Sequence, residues 1–120
     1  MRSFEEDLAT RNRLVADLVA LLSAGKFEEV LRRAPGSRVN AEQLRAAVCE
    51  YGRALVPLST ESYELIDYVA VLGSSPPQWS VVVPLFTQEE GRSDLSLELS
   101  VFEQANGSHS VEIDDDIHVR

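Results

Sequence analysis

The chain has 120 residues, of which 44% are hydrophobic, so we expect one folded domain over residues 1–120 and exclude wholesale disorder. The net charge of −9 is uneven: residues 1–58 hold nine Lys and Arg against eight Asp and Glu, whereas residues 88–120 hold two against nine. Such an acidic second half repels phosphate backbones, which disfavours nucleic-acid binding and favours a basic protein partner.

The sequence shows no sign of export or membrane association. Its first residues, MRSFEEDLATRNR, are charged, and no apolar run reaches the roughly 18 residues that suggest a membrane span. Cys49 is the only cysteine, so no internal disulfide can form, and its apolar helical context predicts a small core residue. We therefore expect a cytoplasmic protein.

Residues 1–58 form the helical half, because apolar residues recur there every three or four positions. The predicted helices span about 4–24, 27–33 and 40–51, and Ser59-Thr60-Glu61 starts one further turn. Ser3 with Glu6, and Asn40 with Gln43, have the spacing of a capping box, which satisfies amides at a helix start.

Residues 59–120 form the sheet half, because odd-numbered positions there are almost all apolar and the connections have hairpin length. The predicted strands span 65–72, 79–87, 94–104 and 111–119. They predict an α+β fold in which the N-terminal helices pack on one face of a four-stranded antiparallel meander sheet.

The last hairpin has two candidate registers. A two-residue turn at Asn106-Gly107 would set Val101 opposite Glu112, whereas a three-residue loop with a left-handed Gly107 sets Val101 opposite Val111. Burial should select the second register. The same parity predicts the pairs Leu99 with Ile113, Leu95 with Ile117, Val83 with Leu97, Val81 with Leu99, and Val69 with Val81. We expect the first helix to bury this odd face, including Trp79, Val81, Val83, Leu97 and Leu99.

The opposite face of the predicted sheet, called the even face because even-numbered residues form it, has two kinds of side chain. It is apolar on the first two strands and acidic on the last two. A second face of this kind is often covered by a partner protein, by a second copy in a homodimer, or by a further helix. The candidate partner-binding residues are Tyr68 and Phe86 as apolar anchors and Glu98, Glu112 and Asp114 as charges.

A pocket beneath the first helix is the alternative site. Parity aims Asp67 and Asp115 inward, where either carboxyl could take part in acid–base chemistry with Tyr63, unless a bulge turns Asp115 outward. His118 should lie across from Asp94 as an exposed ion pair.

No catalytic, metal-binding or phosphate-binding motif is present. Asp114-Asp115-Asp116 lacks the spacing of a calcium loop, and adjacent strand residues point to opposite faces, so only some of these carboxylates could converge. We expect no metal and no other cofactor, and the lack of such a motif favours a non-enzymatic protein over an enzyme.

Helices followed by a curved meander that ends in VEIDDDIHV resemble the cystatin-like or nuclear-transport-factor-2-like cone. LIDYV at 65–69, WSVVVPL at 79–85 and SDLSLEL at 93–99 are similar to an uncharacterised family of small bacterial domains, over roughly 55–120. Small acidic members of such scaffolds include immunity proteins that neutralise toxins. The resemblance therefore implies a non-enzymatic protein-binding module of immunity or regulatory type. The alternative is a cone-type pocket that binds a small apolar molecule or performs a simple acid–base reaction.

Overall fold

A computed structural model describes residues 4–119 and shows helices followed by an antiparallel sheet. The helices are α1 (Phe4–Ser23), α2 (Phe27–Arg33) and α3 (Ala41–Tyr51), and a 3-10 helix covers Thr60–Leu65. These ranges confirm the predicted helical segments and the predicted α+β class. The capping box of α3 is also present, since Asn40 and Gln43 exchange two hydrogen bonds of 2.8 Å. Ser3, the predicted cap of α1, lies outside the described residues.

The sheet keeps the predicted meander, although its two outer positions are each divided between two strands. The strands are β1 (Leu55–Val56), β2 (Asp67–Ala70), β3 (Gln78–Thr87), β4 (Gly91–Glu103), β5 (His109–Ile113) and β6 (His118–Val119). β3 and β4 form the centre, β1 and β2 share the free side of β3, and β5 and β6 share the free side of β4. β1 was not predicted from the sequence.

The register of the central and last hairpins is the predicted one. Val81 lies opposite Leu99, and Val101 lies opposite Val111. Gly107 has a φ of +86°, and the backbone N–H of Gln104 donates to the carbonyl of Ser108 at 2.7 Å. The three-residue loop is therefore confirmed.

The parity of β2 is the reverse of the predicted one. Tyr68, rather than Val69, lies opposite Val81 and faces the helices, while Val69 pairs with Ser80 on the other side of the sheet. Asp67 is consequently exposed, so its predicted inward position was wrong. This arrangement buries Ile66 and leaves the Asp67 carboxylate in water, which avoids the cost of burying a charge.

The last predicted strand is interrupted. Leu95 pairs with Val119 instead of Ile117, because the segment 114–117 leaves the sheet as a bulge between β5 and β6. Asp115 is exposed at this bulge, so the inward alternative was wrong. His118 lies opposite Ser96, not opposite Asp94 as predicted.

The core lies between the helices and the odd face of β3 and β4, as predicted. It contains residues of α1 and residues of both central strands, all at most 2% exposed: Val15, Leu18, Val19, Leu22, Val81, Val83, Leu97 and Leu99. Trp79, predicted to be buried, is only half-buried at the sheet end. Cys49 is exposed, contrary to prediction, because α3 is peripheral and buries only Leu44 fully.

Candidate functional site

The first candidate is the outer face, which is the sheet surface opposite the helices. Its side chains alternate along the strands with those that face the helices, and they belong to Asp67, Val69, Ser80, Val82, Glu98, Ser100, Glu112 and His118. The predicted charges Glu98, Glu112 and Asp114 lie together there. Glu112 pairs with Ser100, whose hydroxyl is 2.8 and 2.9 Å from the two carboxylate oxygens of Asp114. The backbone N–H of Asp114 donates to the carbonyl of Glu98.

An apolar strip adjoins this face along β2 and its two ends. Its exposed fractions are 43% for Leu65, 55% for Val69, 39% for Val71 and 95% for Leu72. Leu65, together with Val82 and Pro84, lines a groove of about 390 Å³ on the outer face. The strip was not predicted from the sequence, because the predicted parity of β2 was the reverse of the observed one.

The two predicted apolar anchors do not join these acids. Tyr68 faces α1, where its hydroxyl donates to Oδ1 of Asn12 at 2.8 Å, so its predicted place on the outer face was wrong. Phe86 pairs with Val56 and is half-buried against the core. It lies four residues from Val82, or about 13 Å along the strand.

The bulge at 114–117 brings three potential metal ligands together on the outer face. Oxygen or nitrogen atoms of Glu98, Asp115 and His118 all lie within 4.8 Å of one another. Nε2 of His118 is 3.6 Å from the Glu98 carboxylate, and its Nδ1 is 2.8 Å from the carbonyl oxygen of Asp116. Within residues 4–119 this group could hold a divalent ion with one nitrogen and two oxygen ligands.

The second candidate is a groove of about 480 Å³ between the first half of α1 and β2. Both Tyr63 and Asp67 of the predicted pocket line it, whereas Asp115 does not. Asp67 belongs to β2, an edge strand, and therefore borders both this groove and the groove on the outer face. The core beneath the rest of α1 is filled, since Val15 and Leu18 are buried. The groove is therefore confined to one end of the sheet.

Arg11 closes the inner wall of this groove and was not predicted as a site residue. The residue is only 4% exposed, and its guanidinium carbon lies 4.2 Å from the Trp79 ring centroid and 5.4 Å from that of Tyr68. Within residues 4–119 its Nε has no hydrogen-bond partner and no ion pair reaches the side chain. Arg11 precedes Val15 by four residues and Leu18 by seven, and this helical spacing places it on the core face.

Burial also affects the phenol that faces Arg11. It raises the pKa of Tyr68 well above the usual value, while the positive charge of Arg11 opposes that rise. Tyr68 therefore stays protonated and remains a donor to Asn12. The Tyr68–Asn12 bond and the contacts of Arg11 hold the end of β2 against α1.

A family described as Domain of unknown function (DUF7668) matches residues 19–120, and the chain belongs to this family. The prediction of an uncharacterised domain family is thereby confirmed. No curated protein and no solved structure matches the chain, so the resemblance to a cone fold stays a prediction. The match covers every strand and the outer face, and Arg11 lies outside it. None of the helices described in 4–119 is long and apolar enough to cross a membrane.

Proposed function

We propose that the protein is a non-enzymatic cytosolic module that binds a basic protein partner through its outer face and apolar strip. The observation that carries this proposal is the apolar strip itself, whose four side chains are 39% to 95% exposed beside the outer face. Contiguous apolar surface on a soluble domain is typical of an interaction site.

The charge of the same surface supports a basic partner. Residues 59–120 contain twelve Asp and Glu but only two basic residues, Arg92 and Arg120. Glu98, Glu112 and Asp114 border the sheet centre, and Asp67 lies between Leu65 and Val69 in the apolar strip. Apolar groups at the centre of an interface supply most of its affinity, while rim charges steer the encounter.

An immunity-type or regulatory role is the sharper form of this proposal. A small acidic module can act by covering a basic surface on its partner, and this requires no catalytic group of its own. An immunity-type or regulatory role therefore requires only the outer face as a binding surface.

The test uses the intact chain to capture its partner from the native host, followed by binding kinetics with the purified partner. Val69→Ser/Leu72→Ser removes apolar surface, and we expect roughly tenfold weaker binding through faster dissociation. Glu98→Gln/Glu112→Gln should instead slow association and reduce its dependence on salt.

Glu28→Gln/Glu50→Gln is the matched control, because it removes two charges from exposed positions on α2 and α3. We expect it to bind as the wild type does. Sedimentation of the wild type without partner shows whether a second copy occupies the face. If every variant binds like the wild type, the outer face is not the working surface.

A second candidate function uses the groove between α1 and β2. This function is favoured because Tyr63 and Asp67, two of the three residues predicted for a ligand pocket, both line the groove. Because Asp115 does not line the groove, the carboxylate of a simple acid–base reaction would come from Asp67 or from Glu64, and both are exposed. Ligand binding is therefore the form of this function that the groove supports better.

A further inference from the structure

Arg11 is a buried cation that forms no ion pair with any acidic side chain described in 4–119. A buried charge costs stability unless it is paired or hydrogen-bonded, and contacts with aromatic rings offset only part of that cost. Trp79 and Tyr68 supply such ring contacts, but the buried Nε of Arg11 has no hydrogen-bond partner among residues 4–119. A purely structural residue at this position would be better served by an apolar side chain like those of Val15 and Leu18.

We infer that the groove between α1 and β2 binds a small carboxylate with an apolar body, and that Arg11 holds the carboxylate group. The guanidinium presents donors in a planar fork that matches the two oxygens of a carboxylate. Asn12 lines the same wall and uses its carbonyl oxygen for Tyr68, which leaves its NH₂ group as a further donor.

The rest of the groove suits an apolar body. Its wall is formed largely by aliphatic and aromatic side chains, those of Phe4, Leu8, Tyr63, Ile66, Ala70 and Trp79. The volume of about 480 Å³ fits a small molecule, and a few polar groups among apolar walls are typical of ligand sites.

Two acidic residues of the groove restrict the ligand further. Glu64 and Asp67 line it and are exposed. Their charges disfavour a ligand with several negative groups, whereas an ammonium group on the ligand would be attracted. The groove should therefore accept a monocarboxylate and bind one that also carries an amine more tightly.

The test compares three probes with the same phenyl body: 3-phenylpropanoate, free phenylalanine and phenethylamine, which lacks a carboxylate. Binding is measured by calorimetry, and by the fluorescence of Trp79, the only tryptophan in the chain. We expect saturable binding of both carboxylates, tighter for phenylalanine, and little or none of phenethylamine.

Variants of α1 then assign the carboxylate contact. Arg11→Gln should weaken binding of 3-phenylpropanoate at least tenfold, and Arg11→Lys should weaken it less because the charge remains. Arg13→Gln is the control, since it removes the same charge from an exposed position on the same helix, and it should bind like the wild type.

Several results would overturn the inference. They are the absence of saturable binding at millimolar probe, equal binding of phenethylamine, and unchanged affinity in Arg11→Gln. If Arg11→Gln does not fold, NMR shifts in the wild type decide: shifts at the Trp79 indole N–H and the Asn12 amide support the site, and shifts elsewhere contradict it. The inference does not rest on the outer face, because these probes do not test partner binding there.

Discussion

The central hairpin β3–β4 and the outer strands β2 and β6 differ in how strictly their register is specified. The predicted pairs Val81–Leu99 and Val83–Leu97 are present at the centre. Both outer strands depart from prediction, β2 by reversed parity and β6 by a bulge. A slip at the centre would move apolar side chains of two strands to the outer face, whereas a slip at the edge affects one strand.

The largest expected effect is the loss of stability on truncating a side chain at the sheet centre, and it tests whether the centre is more strictly specified than the edge. Leu99→Ala removes a fully buried side chain from the centre, and we expect it to lower the free energy of unfolding by roughly 2–5 kcal/mol. Val69→Ala on β2 is the counterpart, and since Val69 is largely exposed it should cost about 0.5 kcal/mol or less. Chemical denaturation measures both values. Similar costs for the two variants would show that β2 is as strictly specified as the centre.

The centre of the sheet and its edge strand β2 also differ in how well the sequence predicted which face each side chain occupies. Parity grouped Glu98, Glu112 and Asp114 correctly because all three adjoin well-specified pairs. The prediction was wrong for Tyr68, because the alternation of β3 was extended to β2 across the loop between them. The charge of Asp67, which favours an outward position, was not considered.

The two groups that were missed differ in kind. Arg11 could have been found, since its helical spacing from Val15 places it on the core face. The meeting of Asp115 with His118 and Glu98 could not, because it depends on the length of a bulge, and residue periodicity carries no information about that length.

A second effect concerns the loop that sets the register of β5 against the centre. Gly107→Val should lower the free energy of unfolding by about 1–2 kcal/mol, because a φ of +86° is strained for a β-branched residue. Ala105→Val in the same loop is the control, since no non-glycine residue described in 4–119 has a positive φ. Equal destabilisation by both variants would contradict a conformational cause.

A smaller effect follows from the bulge before β6. Partial burial raises the pKa of Asp116, and the charge of Asp115 raises it further. A carboxyl with a raised pKa in the folded state destabilises that state when ionised, and this penalty disappears as the pH falls through the folded pKa to below the ordinary value of 3.8. Asp116→Asn should therefore raise the melting temperature by about 1–2 °C at neutral pH and leave it unchanged near pH 3. The same gain at both pH values would show that the carboxyl charge is not its cause.

The smallest effect that we predict is the response of the same bulge to hard cations. Ca²⁺ takes six to eight oxygen ligands, and Mg²⁺ needs near-octahedral oxygen geometry. The bulge brings together two carboxylates, those of Glu98 and Asp115, with the imidazole of His118. Millimolar Ca²⁺ or Mg²⁺ should therefore shift the melting temperature by less than about 1 °C, since a ligand stabilises appreciably only when its concentration exceeds its Kd for the native state.

Sodium chloride at matched ionic strength is the control, because any salt screens the repulsion among Asp114, Asp115 and Asp116. A rise of several degrees with either divalent ion, absent from the sodium control, would mean that the bulge assembles a cation site that the parity of the strands gave no reason to expect.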